Sequence, residues 1–140
     1  MAKVDLYNNI ALVHALAPQT INTNTTTASS AIDLDGYEGA LITFHSGAIA
    51  GTSAANIFTP LITECDTSGG TYTDVADADL IGTEAAAVHN GGTDNTITKI
   101  GYVGSKRYIK VSIVSTATTT AGGLIEAQVI KGAALVRPVA

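Results

Sequence analysis

From Tyr108 to Ile113 apolar and polar side chains take turns. Ile109, Val111 and Ile113 share one parity, and Lys110 and Ser112 share the other. Successive side chains of a strand point to opposite faces, so this period of two predicts a β-strand with one buried face. The same period follows the Asp35-Gly36 turn signal, where Glu38, Ala40, Ile42 and Phe44 oppose Leu41, Thr43 and His45. The Ile42 side carries the apolar mass and is predicted to face the core, with Ser46-Gly47 ending the strand. Further strands are predicted over 57–64, 97–103, 106–114 and in the segment Leu124–Gly132, where Ile125, Ala127 and Val129 oppose Glu126 and Gln128. Pro60 removes a ladder donor, which predicts an edge or a bulge for its strand. Gly69-Gly70 reads as a two-residue hairpin turn, and the Ser/Thr/Ala/Gly run 115–123 as a soft turn joining two strands.

Short strands every 10–15 residues, with turn signals between them and no recurring helix, predict an all-β fold: an antiparallel β-sandwich or a jelly-roll-like barrel. Ala76–Leu80 reads as a turn or short helix, and Asn90-Gly91-Gly92 as a flexible tip. At 140 residues the chain fits one domain. We divide it into an N-terminal arm over 1–18, extended or one short helix and ended by Pro18, and a single β domain over 19–140.

Only 14% of residues are charged while 46% are hydrophobic, against about 25% charged in an ordinary soluble domain. No apolar run reaches the ~18 residues of a membrane helix. The low charge therefore points to surface covered in an assembly. A net charge of −5 argues against a nucleic-acid partner, which would require a basic face. The residues after Met1 lack the charged, apolar and small-residue order of a signal peptide, so synthesis in a cytoplasm is expected.

Little in the sequence suggests chemistry. His14, His45 and His89 lack metal-ligand spacing. Asp66, Asp74, Asp77 and Asp79 form an acidic stretch, but the glycine and glutamate positions of an EF-hand loop are not met. The glycine pairs are not followed by Lys-Ser/Thr, and there is no Gly-x-Ser-x-Gly elbow. The lone Cys65 reads as a small buried residue. No catalytic residue, metal ligand or cofactor is assigned.

Three segments carry a resemblance. Asp-Leu-Tyr-Asn at 5–8, Val-Ala-Asp-Ala-Asp-Leu-Ile-Gly-Thr-Glu at 75–84, and Gly101–Val111 with the Thr-rich turn Thr118–Gly122 are similar to the small cement, or decoration, proteins of some tailed bacteriophages, notably flagellum-targeting siphophages of the Chi type. The resemblance runs nearly end to end and departs at 45–58 and 88–95. It implies a non-enzymatic structural protein on the outer surface of the phage head, made in the host cytoplasm. It also implies the major capsid protein as partner and a homo-oligomer, with a trimer favoured. Two other readings stand beside it: a different virion subunit (tail tube, head–neck or fibre base), and a carbohydrate- or surface-binding module. For the interface we name Asp5, Leu6, Tyr7, Ile10 and Val13 of the arm, which could add a strand to a partner's sheet, with Tyr108 and Lys110 of the strand facing away from the core.

Overall fold

A computed structural model describes residues 5–135. Among these the chain is almost entirely β: ten strands, two single-turn 3-10 helices at Asp77–Asp79 and Ala85–Ala87, and no α-helix. The strands are β1 Ala11–Ile21, β2 Thr26–Ala28, β3 Ile32–Asp33, β4 Tyr37–Ile49, β5 Ile57–Cys65, β6 Thr73–Asp74, β7 Leu80–Ile81, β8 Ile97–Tyr102, β9 Tyr108–Thr116 and β10 Gly123–Ala134. They form two antiparallel sheets. Sheet A has the order β1-β10-β4-β8-β7; sheet B has β2-β9-β5-β6, with β3 also on β9. The sheets pack face to face as a β-sandwich.

The alternation drives this packing. Ile42 and Phe44 of β4, Ile100 of β8 and Ala127 and Val129 of β10 meet Phe58 and Ile62 of β5 and Ile109, Val111 and Ile113 of β9, all at 0% exposure. Each fully buried isoleucine contributes about 1.5–3 kcal/mol. Asp35-Gly36 makes the expected turn. Tyr37 donates to the Leu34 carbonyl at 3.0 Å, and Gly36 takes the left-handed φ of +84° that a type II turn requires at its third position.

Five expectations are corrected. β4 does not stop at Ser46-Gly47 but continues to Ile49. The arm over 1–18 is not separate: from Ala11 it is β1, paired with β10 from Ala11↔Lys131 to Ile21↔Gly123. Pro18 fits inside this strand because β1 is the sheet edge and the register shifts between Leu16 and Gln19. Gly69-Gly70 is not a hairpin turn; β5 and β6 are joined by the longer loop 66–72, and neither glycine has a positive φ. Finally, β9 and β10 do not pair. The run 117–122 carries the chain from sheet B across to sheet A.

Pro60 marks a locally open edge, since β6 covers β5 only at Thr63 and Glu64. Phe58 and Ile62, on the same parity, direct their N–H groups away from β9. Phe58 donates to the His89 carbonyl at 2.8 Å, and Ile62 to a Glu84 carboxylate oxygen at 2.6 Å. Glu84 stands in for the carbonyl of a missing strand and, with Pro60 between these two positions, closes the β5 edge against further pairing. Burial raises the Glu84 pKa against the lowering effect of that hydrogen bond.

Candidate functional site

The outward face of sheet A carries an unusual row. Leu12 pairs with Ile130, Ile130 with Leu41, Leu41 with Gly101 and Gly101 with Ile81. One apolar line therefore crosses all five strands, about 19 Å at the usual strand spacing. Its ends are bare: Leu12 is 67% exposed and Ile81 65%. Beside it lie Gly132, paired with Gly39, and Val103, itself 51% exposed. Apart from Leu12, these residues line a groove of about 410 Å³, which Glu38 also borders. The next row is polar: His14, Gln128, Thr43 and Lys99. Beyond it His45 meets Glu126 at 3.1 Å. An apolar band without charge, bordered by polar residues, is the composition of an interface centre and its rim.

The named interface residues fall into two groups. Asp5, Leu6, Tyr7 and Ile10 precede β1, next to the Leu12 end of the apolar row. Leu6 and Tyr7 are exposed, and Asp5 folds back to accept from Asn8, whose hydrogen bonds lower its pKa. Val13 is different: it lies on the inward side of β1 and packs against the core. Tyr108 and Lys110 face outward on the opposite sheet and are half-buried there. The Arg107 guanidinium lies 5.2 Å from the Tyr108 ring, and Lys110 Nζ 4.3 Å from the Tyr72 ring. The two groups therefore do not form one surface.

Sequence reasoning missed the row itself. Its trace was present, since Leu41 interrupts the polar parity of Thr43 and His45, and Ile130 that of Glu126 and Gln128. Only the register shows that these exceptions line up.

Several titratable groups are spent on structure. Asp66 is tied to Lys106 at 2.6 Å, and Asp33 to Arg107 at 2.8 Å. The Arg107 bond lowers the Asp33 pKa. Among the described residues no three His, Cys, Asp or Glu gather as a metal site, and no helix is long and apolar enough to cross a membrane. Cys65 is half-buried rather than buried. The Asn90-Gly91-Gly92 tip packs against the loop 50–56, where a Cβ on Gly91 would lie 2.6 Å from the Thr52 carbonyl oxygen.

His89 is enclosed between the sheets at 1% exposure. Its Nδ1 lies 3.0 Å from Ser46 Oγ and 3.1 Å from Thr96 Oγ1, and its Nε2 lies 2.8 Å from Thr98 Oγ1. A Ser–His contact invites comparison with a nucleophile and its base. Here, however, Ser46 Oγ also donates to the Thr93 carbonyl at 3.0 Å, and the far ring nitrogen meets a hydroxyl rather than a carboxylate. The cluster ties β4, β8 and the segment beside β5 together. Burial, then the nearby His45, lowers the His89 pKa below 6.5. Below pH 6.5 the unfolded chain takes up a proton that the folded chain refuses, so stability falls with pH until the folded pKa is passed. The slope is at most about 1.4 kcal/mol per pH unit. Asp33 acts only below its ordinary 3.8, and Glu84 acts with the opposite sign. Urea midpoints at pH 7 and pH 5 should therefore drop for the natural chain and drop less for His89→Gln. Equal drops would remove His89 as the cause.

Comparison with models of known protein families, and with curated proteins by sequence, finds no match in either.

Proposed function

We propose that this chain is a structural virion protein that decorates and cements the outside of a tailed-phage head, bridging neighbouring major capsid subunits. The observation that carries this reading is the apolar row crossing all five strands of sheet A on its outward side. An isolated monomer gains nothing from it, whereas a shell-bound subunit buries it. The motifs at 5–8, 75–84 and 101–111 support the same reading, as does the low overall charge. A protein that binds only the assembled, expanded shell stabilises that shell by linkage, with no chemistry required. Assembly as a homo-oligomer, a trimer by preference, belongs to the proposal.

A sugar-binding module would present aromatic platforms. Here Phe44, Phe58 and Tyr102 are buried, and Tyr7 is the one large exposed aromatic among the described residues. Copy number tests the proposal against a tail, neck or fibre-base role. Quantitative protein staining of purified virions should place this chain near stoichiometric with the major capsid protein. A few copies per particle would overturn the cement reading.

A further inference from the structure

We propose that His89 is an acid-sensitive latch: as a neutral ring with its hydrogen on Nδ1 it holds the segment 82–96 against the edge of β5, and a second proton, taken from solvent at Nε2, releases that segment.

The tautomer follows from counting protons. Each hydroxyl has one to give. Ser46 Oγ donates to the Thr93 carbonyl at 3.0 Å, and Thr96 Oγ1 donates to the same carbonyl at 2.6 Å. Both therefore turn lone pairs toward Nδ1, so Nδ1 carries the ring hydrogen. Nε2 of the neutral ring is then bare and accepts from the Thr98 hydroxyl at 2.8 Å. That hydroxyl has a second acceptor within reach, the Ala87 carbonyl at 3.2 Å. When Nε2 gains a proton it donates to Thr98 Oγ1, and the Thr98 hydroxyl turns to Ala87. The hydrogen bonds survive, but a positive charge now sits between the sheets.

The surroundings do not balance it. On β4 the titratable neighbour is His45, which lies on the outward parity and is held by Glu126 at 3.1 Å. On β8 it is Lys99, also outward. β5 carries no charged residue from Ile57 to Thr63. On the segment itself Glu84 accepts from Ile62, and Asp94 from the Asn95 amide. None of the ion pairs among the described residues includes His89. A buried charge without a partner is strongly disfavoured, and opening the segment to water relieves it.

The segment is thinly anchored. Of residues 82–96 only Ala87 and His89 are buried. Its backbone-to-backbone tie to β5 is one pair of bonds, Phe58 donating to the His89 carbonyl at 2.8 Å and His89 to the Phe58 carbonyl at 3.0 Å. Stretches with few buried contacts open without global unfolding. Opening uncovers the β5 edge at Phe58 and leaves it free to pair with another strand.

Two measurements on the full chain test the latch. Nitrogen-15 spectra of the histidine rings at pH 7 should show His89 with its hydrogen on Nδ1; a hydrogen on Nε2 would overturn the proton count and the proposal with it. Amide hydrogen exchange then follows Phe58 and His89, corrected for the intrinsic effect of pH. The open segment titrates at the ordinary 6.5, and the closed one lower. Exchange should therefore accelerate below pH 6.5, by at most about tenfold per pH unit. At pH 5 the two amides should exchange at least about tenfold faster than those of β10. Equal rates would mean that the segment leaves only with the whole fold, and would overturn the latch. In His89→Gln the acceleration should vanish; an acceleration that persists would belong to another group, Glu84 first, and would also overturn it. If His89→Gln does not fold, the profile of the natural chain decides: rates that stay flat between pH 6.5 and pH 5 overturn the proposal.

Discussion

Phe58→Ala should destabilise the protein by about 3–5 kcal/mol, one of the largest losses any single truncation here should produce. The ring is fully buried on the inward face of β5. Its backbone is held on both sides: it pairs with Ser115 of β9, and it exchanges hydrogen bonds with His89 at 2.8 and 3.0 Å. Across the sandwich the ring fills the space that a side chain at Gly123 would take, since a Cβ there would lie 2.6 Å from Phe58 Cε2. One wall of the resulting cavity is the backbone of β10 at Gly123, held in its ladder, and cavities that cannot relax are the costly ones. Urea denaturation should show the midpoint falling with the slope unchanged. A loss below about 1 kcal/mol would mean that the two sheets do not meet at Phe58 as described.

The second large effect is at Asn56. It is fully buried with a left-handed φ of 51°. Its amide donates to the Ala50 carbonyl at 2.6 Å, and its side-chain carbonyl accepts from the Thr119 N–H at 2.7 Å. Alanine would remove hydrogen bonds to the carbonyl of half-buried Ala50 and the N–H of exposed Thr119, each worth about 0.5–1.5 kcal/mol. It would also keep a left-handed conformation that asparagine tolerates better than alanine does. A total of about 2–3 kcal/mol is expected. Asn56→Gly loses the same hydrogen bonds without the backbone strain, so it should be the milder variant by about 1 kcal/mol. Thermal unfolding of the three proteins checks the order. Glycine as damaging as alanine would remove the strain argument, and an alanine variant within about 0.5 kcal/mol of the natural chain would remove the hydrogen-bond argument.

Asn56 also shows where the sequence stopped being readable. The run 115–123 reads as a soft turn, because Ser, Thr, Ala and Gly have neither bulk nor charge. In the fold it is anchored. Thr118 donates to Asn24 through both N–H and hydroxyl, at 3.0 and 2.7 Å, and Thr119 binds Asn56. Gly122 takes a φ of 60° where a Cβ would lie 2.2 Å from the Ile21 carbonyl oxygen. These partners come from loops remote in sequence, and no local pattern announces them. Alternation, by contrast, is local. It placed Ile42, Phe44, Ile109, Val111, Ile113, Ile125, Ala127 and Val129 in the core, and all of them are buried.

Alternation assigns a face but not a neighbour. It therefore could not say that β9 and β10 belong to different sheets, or that Leu12, Ile130, Leu41 and Ile81 share one row. Pro18 was misread for a related reason: proline forbids the middle of a sheet but is tolerated on an edge, and edge position is a tertiary property. The candidate interface suffered most. Exposed Leu6 and Tyr7 were found as residues, but the surface beside them is a product of register. Val13 was grouped with them although it points inward. With β1 part of sheet A, deleting residues 2–17 would remove Leu16 and the packing of Val13 and Ala15, so such a truncation tests the fold before it tests binding.

The central claim is that this chain binds and strengthens an assembled shell. The most direct measurement mixes the purified protein with expanded heads that lack it, sediments the heads, and follows their survival under heat or chelator. The account predicts co-sedimentation that saturates at a ratio set by the shell's symmetry, together with heads that withstand harsher treatment than bare ones. Protein left in the supernatant at every ratio, with heads no more durable than before, would contradict it.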